Sequence, residues 1–229
     1  MDHLLLLPGL LCDARLWRDQ IEALGTGVTI ADLTRDDSVG AMATRALAAA
    51  PPRFALAGLS MGGYVALEIM RRAPGRVSRL ILLDTSARKD TEEQSRRRRG
   101  LMALTRSGQF RGVTPRLLPL LVHPDRVAEQ PLAGEVMAMA ERVGKEAFLR
   151  QQTAILGRPD SRPDLPGFAV PALVAVGAQD ALTPPDHAEE IAAGIPGARL
   201  EVIADCGHLP TMERPAEATA LMRDFLAAD

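Results

Sequence analysis

Residues 54–63 read Phe-Ala-Leu-Ala-Gly-Leu-Ser-Met-Gly-Gly: an apolar run that passes directly into G-x-S-x-G. A helical pattern then follows from Tyr64 to Ala73. A chain that turns from extended to helical within one residue forces that residue, Ser60, into strained backbone angles. It also leaves room only for small residues two positions before and after it. Gly58 and Gly62 meet that demand. Such a turn needs a buried strand before it and a helix covering that strand after it. It lifts the Ser60 hydroxyl above the carboxyl ends of the strands. There, the free N–H groups at the start of the following helix favour developing negative charge.

The rest of the chain repeats the same rhythm. Short apolar runs at 3–7, 28–31, 54–58, 79–84, 172–177 and 199–204 are mostly apolar on both faces, as strands of a parallel sheet covered on both sides must be. Helical patterns lie between them at 14–24, 38–50, 62–73, 185–193 and 215–228, with Ala73-Pro74-Gly75 closing one and Pro184-Pro185 opening another. The expected fold class is α/β, a mostly parallel twisted sheet with helices on both faces. The rhythm lapses between about 86 and 168, where only helical patterns occur, at 92–107, 113–122 and 132–156. The expected organisation is a core of 1–85 and 169–229 with residues 86–168 inserted between two strands as a helical cap.

Composition narrows the function. With 27 basic and 29 acidic residues among 229, the net charge of −2 gives no reason to expect a polyanion or a membrane surface as partner. Five Phe, one Tyr and one Trp are too few to build stacking platforms for single-stranded nucleic acid. The run Arg96-Arg97-Arg98-Arg99, beside Glu92 and Glu93, reads as a solvated helix face. Two cysteines, Cys12 and Cys206, make no disulfide scaffold and fit free thiols in a reducing compartment. The opening Leu4–Leu7 run has no basic flank and is broken by Pro8-Gly9, so it reads as a buried strand, and no stretch is long enough to span a membrane. A cytoplasmic protein is expected. No Cys/His spacing suits zinc, and there is neither a P-loop nor a dinucleotide fingerprint, so no cofactor and no metal are expected.

With its G-x-S-x-G segment between strand and helix, the chain resembles the α/β-hydrolase fold superfamily over nearly its full length. The superfamily order of nucleophile, acid and histidine is followed by Ser60, Asp180 and His208. Of four histidines, His3 lies at a strand, His123 in the cap and His187 early in a helix. His208 alone sits in a loop between the last strand and the final helix, and Asp205-Cys206-Gly207-His208-Leu209-Pro210, continued by Glu213-Arg214-Pro215, resembles the histidine loop of the superfamily. Asp180, in the turn after 172–177, looks like the usual acid position. Asp84, ending the strand after the nucleophile helix, is a rival that some members of the superfamily use. The resemblance also implies an oxyanion hole from the backbone N–H groups of Met61 and Leu10, the latter in Pro8-Gly9-Leu10, where many relatives carry His-Gly. Cys12, close by, reads as a buried small hydrophobe, and Trp17 as packing.

The implied chemistry is hydrolysis of carboxylic esters of small to medium, largely apolar substrates through an acyl-enzyme. The Leu, Val, Met and Ala of the cap, with Met102, Met137 and Met139 as candidate lining, point to an apolar acyl or alcohol group. The same fold and triad also serve other reactions, namely acyl-carrier-protein methyl-ester or thioester hydrolysis and C–C bond cleavage or elimination. A non-catalytic small-molecule receptor is a third reading. The expected partner is a small-molecule ester; the oligomeric state is left open.

Overall fold

The apolar runs become six strands: β1 (Leu4–Leu7), β2 (Val28–Ile30), β3 (Phe54–Leu59), β4 (Val77–Leu83), β5 (Ala172–Gly177) and β6 (Arg199–Ile203). The coordinates are those of a computed structural model, which describes residues 2–25 and 27–228. The strands form one sheet in the order β2-β1-β3-β4-β5-β6, every neighbouring pair parallel. The α-helices are α1 (Arg18–Leu24), α2 (Val39–Ala49), α3 (Met61–Arg72), α4 (Glu92–Leu104), α5 (Gln130–Leu156), α6 (Pro185–Gly194), α7 (Pro210–Glu213) and α8 (Pro215–Ala227).

Because successive strand residues point to opposite faces, the leucine-rich runs serve two cores at once. Leu5, Leu56, Leu82 and Val174 pack with Met42 of α2, Val65 and Ile69 of α3 and Ile191 of α6. Their neighbours Leu6, Ala57, Ile81 and Leu173 face the other way, onto Leu16, Trp17 and the α8 residues Met222 and Phe225. Each large side chain buried this way contributes roughly 1.5–3 kcal/mol. Helix starts follow local chemistry. Ser38 Oγ accepts the Ala41 N–H at the head of α2, and Thr91 and Gln94 exchange side-chain and backbone bonds at the head of α4.

Between Leu83 and Ala172 the described residues form no strand. Within that segment the helical patterns are redrawn. The one expected at 92–107 ends as α-helix at Leu104 and closes with a wide turn over Thr105–Gln109, where Gly108 has φ 89°. The helix expected at 113–122 shrinks to a single 3-10 turn, Leu118–Leu120, because Pro115 and Pro119 lack the N–H groups a helix needs. The long α5 is interrupted at Gly144 (φ 79°, ψ 175°). At the amino end, the expected helix 14–24 begins instead as a 3-10 turn over Ala14–Trp17, with the Asp13 carboxylate accepting the Arg15 N–H. No helix of the described residues is long and apolar enough to cross a membrane.

The strand order reverses beside β1, whose neighbours are β2 on one side and β3 on the other. At such a switch the loops leaving the two central strands diverge and open a crevice at their carboxyl ends. The loop after β1 carries Leu10, and the turn after β3 is Ser60.

Candidate active site

Ser60 occupies the one-residue turn between β3 and α3, with φ 53° and ψ −116°. Its N–H donates to Leu83 O (3.0 Å), and its own carbonyl accepts the Thr85 hydroxyl (2.7 Å), so the strained turn is fixed from both sides. The small flanking residues are obligatory. A Cβ on Gly58 would strike the Gly62 carbonyl, and one on Gly62 would strike the carbonyls of Leu7 and Pro8.

The loop after β6 brings His208 to this turn across 148 residues of sequence. Its Nε2 lies 2.8 Å from Ser60 Oγ and its Nδ1 2.7 Å from Asp180 Oδ2. A carboxylate facing Nδ1 favours the tautomer protonated there, which leaves the Nε2 lone pair for the serine hydroxyl proton. Asp180 also accepts the N–H groups of Leu182 (2.8 Å) and Thr183 (3.1 Å) and the Thr183 hydroxyl (2.7 Å). Burial alone would raise its pKa. The adjacent His208 and the Thr183 donors outweigh burial and hold the carboxyl below the usual carboxylate range.

Asp84 stands close behind. One oxygen accepts the Gly177 N–H (2.9 Å); the other is buried with no partner among the described residues. Burial, and then the Asp180 charge, push its pKa well above the carboxylate range. The imidazole of His208 therefore bonds to Asp180, and Asp84 flanks the pair. These three residues are also the one His/Cys/Asp/Glu group of the described residues whose ligand atoms all lie within 4.8 Å of one another. Both ring nitrogens and Asp180 Oδ2 are already engaged, which leaves an ion little beyond the free Asp84 oxygen.

The remaining candidates lie elsewhere or are chemically quiet. His3 bonds Thr29 Oγ1 (2.8 Å) across β1 and β2, and His123 accepts the Asp125 N–H. His187 lies in α6, where burial, then Arg88, lower its pKa. Burial and then the Asp13 charge push the Cys12 thiol up to about 12, so it is no thiolate nucleophile at neutral pH. Cys206 is a second buried free thiol, also raised by burial. Trp17 is fully buried.

Leu10 and Met61 bracket the serine. The hydrogen bonds of the described residues include none from either N–H group, whereas the next one, Leu11 N–H, donates to Gln151 Oε1 (3.1 Å). Gln151, on α5, also donates to Leu33 O (3.2 Å), so a buried amide braces the loop that presents Leu10. A second unforeseen residue is Glu213, at the end of α7. Its carboxylate accepts the N–H groups of Gly207 (3.0 Å), Leu209 (3.2 Å) and His123 (2.6 Å), holding the residues on both sides of His208. Nothing in the local sequence distinguishes Gln151 from a surface amide; Glu213 was legible only as part of the histidine-loop resemblance.

A cavity of about 690 Å³ opens above Ser60, with His208, Leu10 and Cys12 at its base and residues of α4, α5 and the intervening 109–121 segment over it. Met139 lines it, while Met102 and Met137 do not. A nucleophile with its base, an acid fixing that base and two free backbone donors beside one cavity can carry acyl transfer, in which such donors are worth roughly 3–4 kcal/mol each.

Comparison with known proteins agrees. Residues 4–220 match the family described as "Alpha/beta hydrolase family". A pimeloyl-[acyl-carrier protein] methyl ester esterase of Neisseria meningitidis is 31% identical over 176 residues, 74% of this chain and 67% of that one. A thermophilic esterase from Thermogutta terrifontis is 31% identical with a TM-score of 0.87, covering 97% of this chain and 88% of that one. The enol-lactonase from Burkholderia xenovorans LB400, 24% identical with a TM-score of 0.87 over 100% of this chain and 92% of that one, shares the fold. The chain belongs to the alpha/beta hydrolase family.

Proposed function

We propose that the chain is a serine hydrolase of carboxylic esters that works through a Ser60–His208–Asp180 triad and an acyl-enzyme. The observation that carries this reading is the unbroken line from Ser60 Oγ to His208 Nε2 (2.8 Å) and from His208 Nδ1 to Asp180 Oδ2 (2.7 Å). His208 takes the serine proton as Ser60 attacks the carbonyl. The N–H groups of Leu10 and Met61 receive the developing oxyanion. The imidazolium, steadied by Asp180, returns its proton to the leaving alcohol. Water then attacks the acyl carbon and gives a proton to His208, which passes it to Ser60 Oγ as the acid leaves.

Residues 86–168 act as a cap over a core of 1–85 and 169–229, and the cavity between them selects a small to medium, largely apolar ester. Two buried free thiols accord with a cytoplasmic location. A second reading keeps the triad but places the ester on an acyl-carrier protein. It is favoured by the arginine run 96–99 on α4 and by the kind of ester named for the Neisseria relative.

Turnover of p-nitrophenyl butyrate tests the first reading. The native protein hydrolyses it and is labelled by a fluorophosphonate, and Ser60→Ala loses both, with a fall in kcat of about 10⁵-fold or more. A native protein that resists the label overturns it. A carrier-linked methyl ester preferred over every free ester moves the assignment to the second.

A further inference from the structure

Four arginines, Arg97, Arg98, Arg111 and Arg116, line the cavity above Ser60, and among the described residues no aspartate or glutamate does. Arg98 is already engaged, by Asp90 (2.6 Å) and by Gln152 Oε1 (3.0 Å). The ion pairs of the described residues include none with Arg97, Arg111 or Arg116. Outside the cavity the arginines of the same segment divide: Arg96, Arg99 and Arg106 also have no ion pair among the described residues, whereas others are paired. Arg88 pairs with Glu190 (2.8 Å), Arg142 with Asp13 (2.7 Å) and Arg162 with Asp160 (2.5 Å). The bias extends to the whole segment. Residues 86–168 hold 15 Arg and Lys against 10 Asp and Glu, although the full chain has 27 against 29. The lining also carries apolar side chains, among them Leu10, Val113, Leu120 and Phe148. Low-dielectric walls bearing one sign of charge concentrate that field inside the cleft, and a guanidinium fork matches a carboxylate in two parallel bonds.

We infer that the cavity takes an ester whose alkyl tail ends in a second, anionic group, held by Arg97, Arg111 and Arg116 while the ester carbonyl lies at Ser60. The inference rests on the hydrolase reading above and names its substrate class: half-esters of dicarboxylic acids, or esters of ω-hydroxy acids if the charged tail is on the alcohol side. The aliphatic wall takes the spacer, and the arginines reject a tail that ends in a cation.

Methyl half-esters of C4–C10 dicarboxylic acids, each beside the alkanoate methyl ester of matched length, give the first test, with acetate esters of ω-hydroxy acids as the alcohol-side arm. In one arm or the other, the charged ester has a kcat/KM about tenfold or more above its neutral match, the size of one charged hydrogen bond at a part-exposed site. The advantage narrows in 0.5 M NaCl, where the screening length falls to roughly 4 Å. In the variant R97Q/R111Q/R116Q that advantage disappears. Equal rates in both arms, or a preference that survives the triple substitution, overturn the inference. So does a carrier-linked methyl ester as the one substrate that responds to the arginines, since the rim is then a docking surface. Adipate binding to Ser60→Ala, measured by calorimetry, separates this from the catalytic reading. If no ester is turned over but adipate binds and R97Q/R111Q/R116Q abolishes binding, the anion site stands and the hydrolase reading falls. If esters are hydrolysed and adipate does not bind, the reverse holds.

Discussion

In the sheet, Leu5, Leu6, Leu7 and Leu56 are wholly buried, whereas on α4 Met102 alone is buried and Leu101 and Leu104 are 39% and 52% exposed. The sheet layer is held by apolar area, which is non-directional and spread over many side chains. The segment above it is fastened in part by single polar bonds placed around the serine. Gln151 ties α5 to Leu11 and Leu33, Arg142 reaches Asp13, and His123 N–H reaches Glu213. The backbone N–H of His208 itself donates to Leu121 O at 3.1 Å. Losing one methylene from the sheet costs stability and moves the site little. Losing one strap moves the site, and costs stability only where a buried group is left without its partner. The two regions should therefore separate under mutation.

The sharpest separation is expected at the sheet rim. Asp180→Asn should lower kcat by about 10³–10⁴-fold with thermal unfolding close to native, because the change leaves the shape and takes away the acceptor that fixes the imidazole. Steady-state kinetics beside a melting curve check it; a small loss of rate would hand the acid role to Asp84. Glu213→Gln lies where the rim meets the segment 86–168. An amide cannot accept three N–H groups as the carboxylate does, so about 1–3 kcal/mol of stability should be lost. That is a fall in Tm of roughly 2–4 °C per kcal/mol, read by calorimetry. An unchanged Tm would show that the straps are redundant.

The α5 strap itself is probed by Gln151→Leu, which frees the Leu11 N–H and slackens the loop presenting Leu10. A fall in kcat of about tenfold with KM nearly constant is expected, since a misplaced donor weakens the transition state more than the bound ester. A change confined to KM would assign Gln151 to substrate binding. The smallest effect concerns Asp84. Its carboxyl, near 4 when unfolded, is raised in the fold, so its favourable contribution is complete below that value and lost as pH climbs through the folded one. Asparagine keeps the shape, tolerates the φ of 44° and carries no proton. Asp84→Asn should raise Tm, more at pH 8 than at pH 5; an equal shift at both would mean the acid is ionised in the native protein.

The same division decides what the amino-acid order reveals. Strands and their helices were legible because burial on both faces writes continuous apolar runs and leaves small residues where chain passes chain, as at Gly58 and Gly62. Ser60, Asp180 and His208 stood out because each follows a strand in the order the superfamily uses. The segment 86–168 was legible as helical but not in its breaks. Pro115 and Pro119 outweighed the apolar spacing of 113–122, and Gly144 interrupted a pattern whose periodicity continues past it. Gln151 and Glu213 were hidden for another reason. Gln151 meets Leu11 140 residues away and Glu213 meets His123 90 residues away besides its near neighbours Gly207 and Leu209, and a hydrogen bond to a backbone group leaves no periodic trace.

The backbone of Ser60 carries one more implication. Serine at φ 53° and ψ −116° lies in a region that glycine enters freely and that costs other residues on the order of 1–3 kcal/mol. Among single changes at this position, the one that silences the hydroxyl by substituting glycine is thus also the one that relaxes the turn. Selection for robustness alone would drift toward an inert protein here, and only the demand for turnover holds the hydroxyl in place.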